Sequence, residues 1–219
     1  MKLAAVTLAR AIAFVETSDL NPNGRVFYPD FVRELVARYQ FQKFPTQIED
    51  FDEQKGVEFF QGKAGDSVIE KLVIYNTGLL VDTRTNTKTS KSLIEESLMW
   101  AKSKFGLCYE PQMIRRMAYV SQVTFHSDMV LNSLNPALAK LADRVSSAVS
   151  EIQGETFDYQ TSSVAIHHDP LKRKYPVAGF TIHPRADAPF SERKYFSEAP
   201  LPTDLHLELL RQFEADITG

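Results

Sequence analysis

The stretch GVEFFQGKAGDSVIEKLVIYNTGLLVDTR, residues 56–84, gives the clearest indication of the fold. It contains three short runs, GVEFFQ, IEKLVIY and LLVDTR, whose β-branched and aromatic residues are typical of β-strands. The connections GKAGDS and NTG are short and contain glycine, as hairpin connections do. Because sequential strands usually pair with their neighbours, the stretch predicts a three-stranded antiparallel meander.

The residues before the meander predict a strand and a helix. Residues 3–15 form an apolar run with many β-branched residues and no helix cap in front of it. The run also has features of a signal peptide, but Arg10 interrupts it and Glu16 follows closely, so that a first strand is the favoured interpretation. Residues 28–40 then combine Pro29 and Asp30 with apolar residues at helical spacing, which predicts a short amphipathic helix.

After the meander, the polar connector TRTNTKTSKS is expected to lead into a helix from Ser92 to about Phe105. Ser92 and Glu95 match the S-x-x-E capping box, in which each side chain bonds the backbone NH of the other end of the turn. Residues 117–128 are predicted to form the next strand.

The most regular helical pattern in the chain follows this strand. Its apolar residues recur at three-four spacing, which places them on one face of a helix: Leu131, Leu134, Leu138, Leu141, Val145, Val149 and Ile152. Because Pro136 is tolerated only near a helix start, Asn135 is the predicted N-cap, and Gly154 suits the C-terminal stop.

The last third of the chain predicts two antiparallel strands, TSSVAIHH and VAGFTIH, an extended loop over residues 184–202, and a helix from about Asp204. Strands are grouped more than they alternate with helices, which favours the α+β class. We expect a mixed, mostly antiparallel sheet of about six to seven strands, with helices packed mainly on one face. Residues 1–219 are treated as a single domain, and a split near residue 107 is the alternative.

Composition limits the classes of function. A hydrophobic share of 43 % and a net charge of −3 are ordinary for a globular protein and do not suggest a general nucleic-acid coat. The single cysteine, Cys108, cannot form an intrachain disulfide, and no apolar run reaches the roughly 20 residues that span a bilayer. The sequence therefore predicts a cytoplasmic protein with no membrane partner.

Three predicted strands end in histidine, in VTFHSD, VAIHHD and FTIHPRAD. If the first two strands run parallel, His126, Asp128, His167 and Asp169 meet at one edge of the sheet. Imidazole and carboxylate ligands suit Zn, Mn or Fe, so this set is the candidate for a metal-dependent hydrolase or nuclease. The competing interpretation is that these are polar strand ends, because histidine and aspartate accept turn geometry. We favour the latter and predict no cofactor; a divalent metal belongs to the enzymatic alternative.

The leading functional hypothesis is a non-enzymatic protein-binding, assembly or regulatory module of a larger cytoplasmic complex. A structureless connector as long as residues 184–202 is usually functional or disordered, and aromatic and arginine residues dominate interfaces. The candidate partner-binding residues are Arg185, Phe190, Arg193, Tyr195 and Phe196. The partner is expected to be another protein or a second copy of the chain.

A second alternative is nucleic-acid binding through basic residues. Arg115 and Arg116 precede a predicted strand, and Lys172, Arg173 and Lys174 form a basic tip between two strands. Three basic residues in a turn are more often a solubilising tip, so this hypothesis ranks below the others.

Overall fold

The computed structural model describes residues 1–24, 26–172 and 177–218. Within them, the strands are β1 (Lys2–Phe14), β2 (Val57–Ala64), β3 (Ser67–Tyr75), β4 (Gly78–Thr83), β5 (Arg116–His126), β6 (Val164–Ile166), β7 (Phe180–Pro184) and β8 (Lys194–Ala199). The α-helices there are α1 (Thr17–Leu20), α2 (Tyr28–Tyr39), α3 (Thr87–Phe105), α4 (Pro136–Gln153) and α5 (Thr203–Thr218). No helix in the described part of the chain combines the length and apolar content needed to cross a bilayer.

The described strands form one sheet in the order β2-β3-β4-β1-β5-β8-β7-β6. The predicted meander is confirmed, since β2 pairs with β3 and β3 with β4 in antiparallel register. β1 and β5 are also antiparallel, because the amide of Arg115 donates to the carbonyl of Phe14 at 2.9 Å while Thr7 Oγ1 donates to the carbonyl of Gln122 at 3.2 Å. The α+β class and the antiparallel character of the sheet are confirmed, with eight strands where six or seven were predicted.

The chain divides into two compact units, and β1 and β5 each contribute residues to both. The first unit contains residues 1–5, 123–199 and 206–219, and the second contains residues 6–122 and 200–205. The single domain, with its alternative split near residue 107, stays a prediction.

In the second unit, α2 and α3 pack on one face of strands β1 to β4. Ala11 lies opposite Val81 on β4, and Val81 lies opposite Leu72 on β3, so these three side chains share a face. They form one buried cluster with Leu35 of α2 and Ile94 of α3. Burial of such apolar surface, at about 25 cal/mol per Å², is the main term that stabilises this unit.

In the first unit, α5 covers the face of β7 and β8 that carries Ile182 and Ser197. Both side chains are buried and directly opposite each other. His206 of α5 is fully buried there, with Nε2 2.8 Å from Ser197 Oγ and its ring in an edge contact with Phe180 at 5.7 Å. Ser197 satisfies Nε2, whereas Nδ1 is buried and has no hydrogen-bond partner in the described part of the chain.

The start of α3 differs from the prediction. The helix begins at Thr87, and Asn86 is its N-cap, with its side-chain oxygen accepting from the amide of Lys88 at 2.8 Å. Ser92 therefore lies inside the helix, and the connector that was predicted to be polar coil forms its first turns. Asparagine caps at least as well as serine, and here it stands six residues before Ser92.

The predicted extended loop over residues 184–202 is wrong in its central part. Residues Lys194–Ala199 form β8, which lies between β5 and β7 in the sheet. Tyr195, Ser197 and Ala199 alternate as buried positions along it. The flanking prolines concealed this strand, because a six-residue strand leaves little room for a visible period of two between breakers.

Candidate functional site

The candidate metal ligands are not brought together as the sequence suggested. β5 and β7 both run antiparallel to β8, since the amide of Ser127 bonds the carbonyl of Arg193 at the end of β5, and β6 is antiparallel to β7. β5 and β6 therefore run in opposite directions, and the expectation that they are parallel is wrong. His126 comes at one edge of the sheet and His167 at the other, because side chains that follow antiparallel strands lie at opposite edges.

Each of the four residues has its own local partner instead. His126 Nδ1 lies 3.3 Å from the carbonyl oxygen of Glu192, and Asp128 accepts from Arg193 at 3.0 Å. The imidazole of His167 lies over Gly179, where an added Cβ would come 2.4 Å from Nδ1. Asp169 accepts from the amide of Leu171 at 3.0 Å. Across the described residues, no three histidine, cysteine, aspartate or glutamate side chains are arranged to hold a metal ion.

The five candidate partner-binding residues fall into two groups. Tyr195 is a core residue, whose hydroxyl donates to the carbonyl of Met129 at 3.0 Å, and Phe196 is half-buried against the ring of His183 at 5.0 Å. Burial removes Tyr195 from a surface that a partner could contact.

The others are accessible to different degrees. Arg185 makes two hydrogen bonds to Asp187, at 2.9 and 3.0 Å, which raise the pKa of its guanidinium and hold that of the Asp187 carboxyl at about 2. Phe190 is exposed, and with Arg193 it lines a cleft of about 260 Å³ beside Asn132 and Thr161. Within the 184–202 segment, this cleft is the place where a ligand side chain could insert.

The basic residues are partly neutralised. Arg115 lies 3.5 Å from Glu16 and 3.3 Å from Asp19, and the guanidinium of Arg116 lies 4.2 Å from the ring centroid of Phe14. Lys172 is exposed and 3.9 Å from Asp169, whereas Arg173 and Lys174 are outside the described residues. Neighbouring carboxylates weaken the attraction of Arg115 and Lys172 to phosphate, and nucleic-acid binding through these residues stays a prediction.

The largest departure from expectation concerns α4. Its caps are as predicted, with Asn135 accepting from the amide of Ala137 at 2.9 Å and Gly154 donating to the carbonyl of Ser150 at 2.9 Å. The helix nevertheless contains no buried residue. Leu138, Leu141 and Ile152 are 45 %, 54 % and 79 % exposed. Apolar side chains at this exposure lose the stabilisation that burial would provide.

Apolar residues, all of them exposed except the half-buried Val145, follow a heptad spacing along one line of the helix. We call this line the α4 seam: Leu138, Leu141, Val145, Ala148 and Ile152. The steps of three and four residues are those of the a and d positions in a coiled coil, with Leu138, Val145 and Ile152 at a. Leucine and β-branched residues are the side chains that pack at such positions.

A different line of α4 contacts the rest of the first unit. Ser146 Oγ accepts from the amide of Tyr159 at 2.8 Å, and Ser150 Oγ accepts from the amide of Phe157 at 2.9 Å. The segment after α4 therefore runs back along the serine side of the helix. Small serine and alanine side chains allow this close approach, and the leucine-rich seam is left facing away from it.

The apolar stripe that the sequence predicted on this helix overlaps the seam, but it includes Val149 rather than Ala148. Spacing of three and four residues is found in stripes that pack in a core as well as in exposed ones, so the sequence did not indicate that this stripe is exposed.

Comparison of the chain with models of known protein families and with curated proteins finds no match.

Proposed function

We propose that this protein is a non-enzymatic protein-binding module, and that the partner at the α4 seam is a second copy of the same chain. The observation that carries the proposal is the exposure of leucine and isoleucine at heptad spacing on a well-capped helix of 18 residues. Contiguous exposed apolar surface of this kind is typical of protein interaction sites.

Charge complementarity supports self-association in one orientation. Arg144 and Glu151 both occupy the g position beside the seam, and both are exposed, with no ion-pair partner in the described part of the chain. In an antiparallel pair of helices the g positions face each other, so that Arg144 of each copy meets Glu151 of the other. In a parallel pair, Arg144 would face the apolar side chain of Val149.

The same register also matches the apolar layers. With Arg144 beside Glu151 of the second copy, Leu141 packs against Ile152 of that copy, and Val145 packs against Ala148. The outer layers of the interface therefore pair two large side chains, and the inner layers pair valine with alanine. An α4 of 18 residues is about 27 Å long, so the contact is short and the affinity modest.

The 184–202 segment contributes to partner binding in this proposal through Phe190 and Arg193, which line the cleft described above. Tyr195 is buried in the core, so it supports the structure of this segment and does not contact the partner itself.

The test measures molar mass by size-exclusion chromatography with light scattering across about a hundredfold range of protein concentration. We expect a concentration-dependent dimer that Leu141→Glu abolishes. Ile48→Glu is the matched control, because Ile48 is 89 % exposed elsewhere in the chain and its replacement should leave the dimer intact.

A charge exchange tests the orientation and the identity of the partner. Arg144→Glu and Glu151→Arg should each weaken the dimer, and the double variant should restore it, because each altered charge again meets its opposite. A chain that stays monomeric at every concentration, or single variants without effect on the dimer, would rule out this interface.

A further inference from the structure

The second unit contains a cavity that is separate from the α4 seam. It has a volume of about 350 Å³ and lies between α1, α2, α3 and strands β3 and β4. Its walls are mostly apolar and include Phe31, Leu35, Leu72 and Leu98. This volume falls in the range of sites for small molecules.

Tyr28, one of the residues that line the cavity, carries an unsatisfied polar group. The hydroxyl of Tyr28 is buried and has no hydrogen-bond partner in the described part of the chain. Its ring is held by a stacked contact with Phe31 at 6.0 Å and an edge contact with Phe51 at 6.1 Å. A buried hydroxyl without a partner costs free energy that a bound ligand recovers by supplying the missing hydrogen bond.

A carboxylate lines the same cavity as Tyr28. Burial and the nearby charge of Glu53 raise the pKa of Tyr28, so the phenol stays protonated at neutral pH. Glu53 also lines the cavity, and Thr17 Oγ1 donates to its carboxylate at 3.2 Å. Among the described residues no lysine, arginine or histidine lies within ion-pair distance of Glu53.

The position of Glu53 is supported by the backbone around it. The amide of Asn76 donates to the carbonyl of Glu53 at 3.1 Å, and the amide of Thr17 donates to the carbonyl of Asn76 at 2.9 Å. These hydrogen bonds link the backbone of Glu53 to Asn76 and, through Asn76, to Thr17. They fix the position of the backbone from which the Glu53 carboxylate extends. A half-buried carboxylate without a cationic neighbour among the described residues favours a positive group over a negative one.

We propose that this cavity binds a hydrophobic amine, with the alkyl or aryl body between Phe31 and Leu72 and the ammonium group donating to Glu53 and to the oxygen of Tyr28. The apolar walls supply most of the affinity, and the two polar groups select the head group. Charge-assisted hydrogen bonds are the stronger kind, which favours an amine over an alcohol of equal length.

Isothermal titration of the full chain with decylamine, decanol and decanoate, each below its aggregation concentration, tests the proposal. We expect decylamine to bind about tenfold more tightly than decanol, and decanoate to bind more weakly than either. Equal binding of the three ligands, tighter binding of decanoate, or no binding of decylamine would overturn the assignment.

Three variants locate the binding. Glu53→Gln should remove the preference for the amine over the alcohol, and Tyr28→Phe should weaken both. Ala101→Leu, which fills part of the cavity, should reduce binding of all three ligands, since Ala101 lines the wall. Thermal melting of each variant checks that it folds. Binding that all three folded variants leave unchanged would place the ligand outside this cavity.

Discussion

Thr87 and Thr203, the first residues of α3 and α5, cap each other. The amide of Thr87 donates to Thr203 Oγ1 at 3.1 Å, and the amide of Thr203 donates to Thr87 Oγ1 at 2.9 Å. Both side chains are buried, so water cannot replace either hydroxyl as acceptor for these first-turn amides. The pair joins two residues that are 116 positions apart in the chain.

We expect Thr203→Ala to lower the free energy of unfolding by about 1–2 kcal/mol, because it leaves the buried amide of Thr87 without an acceptor. Urea unfolding measures the change. Thr156→Ala, at an exposed position, is the control and should change stability by less than about 0.5 kcal/mol. Strictly additive effects of Thr87→Ala and Thr203→Ala would contradict the reciprocal arrangement.

Stability should depend on pH through His206. Burial lowers the pKa of this imidazole to about 4 from its ordinary value of 6.5. The imidazole of the unfolded chain is protonated below pH 6.5, whereas that of the folded chain is protonated only below about pH 4. The free energy of unfolding therefore decreases as the pH falls from 6.5 to 4. The loss is on the order of 3 kcal/mol for a shift of this size.

Urea midpoints measured between neutral pH and pH 4.5 should fall steeply for the natural chain and much less for His206→Gln. His168→Gln serves as the control, because His168 is exposed. The same slope in the His206 variant as in the natural chain would show that other groups cause the pH dependence.

Gly78 is required by a backbone contact rather than by flexibility. A Cβ at this position would lie 2.2 Å from the carbonyl oxygen of Ala13 on the neighbouring strand. Gly78→Ala should therefore cost more than about 2 kcal/mol, because the β1–β4 pairing must shift. A Cβ at Gly65 would lie in open space, and only the positive φ of this residue disfavours alanine. Gly65→Ala should therefore lower the free energy of unfolding by about 1 kcal/mol. Similar costs for both variants in urea unfolding would contradict this account.

Arg10 and Asp82 form an ion pair across β1 and β4, with contacts of 2.7 and 2.8 Å. Asp82 is buried and Arg10 is about one-third exposed. Arg10→Leu should cost about 2 kcal/mol, because the buried carboxylate loses its counter-charge. The double variant Arg10→Leu with Asp82→Leu should recover most of this stability, since two opposite apolar side chains can pack. A double variant less stable than Arg10→Leu would contradict the prediction.

The sequence was most informative where local interactions decide the structure. The meander over residues 56–84 follows from alternating apolar strands and short glycine turns, and the caps of α4 follow from Asn135 and Gly154. The start of α3 was missed because two capping signals, Asn86 and Ser92, compete within six residues. Local energies of such caps differ by too little to choose between them.

Strand order and the fate of each apolar face depend on contacts between residues far apart in the chain. The sequence predicted that His126 and His167 lie at the same edge of the sheet. Because β8 lies between β5 and β7, the strands that carry the two histidines run in opposite directions, and the histidines lie at opposite edges. Residues from five segments of the chain line the cavity beside Tyr28 and Glu53, and the sequence of any one segment does not indicate a cavity.

By itself the sequence determined most of the secondary elements, with β8 the main exception, as well as the α+β class and the amphipathic character of α4, since propensity, capping and periodicity act over one to three turns. Only the tertiary structure decided which apolar surfaces are buried. Which surfaces are buried depends on which elements pack together. A stripe such as the α4 seam has the same sequence pattern whether it packs in the core or is exposed.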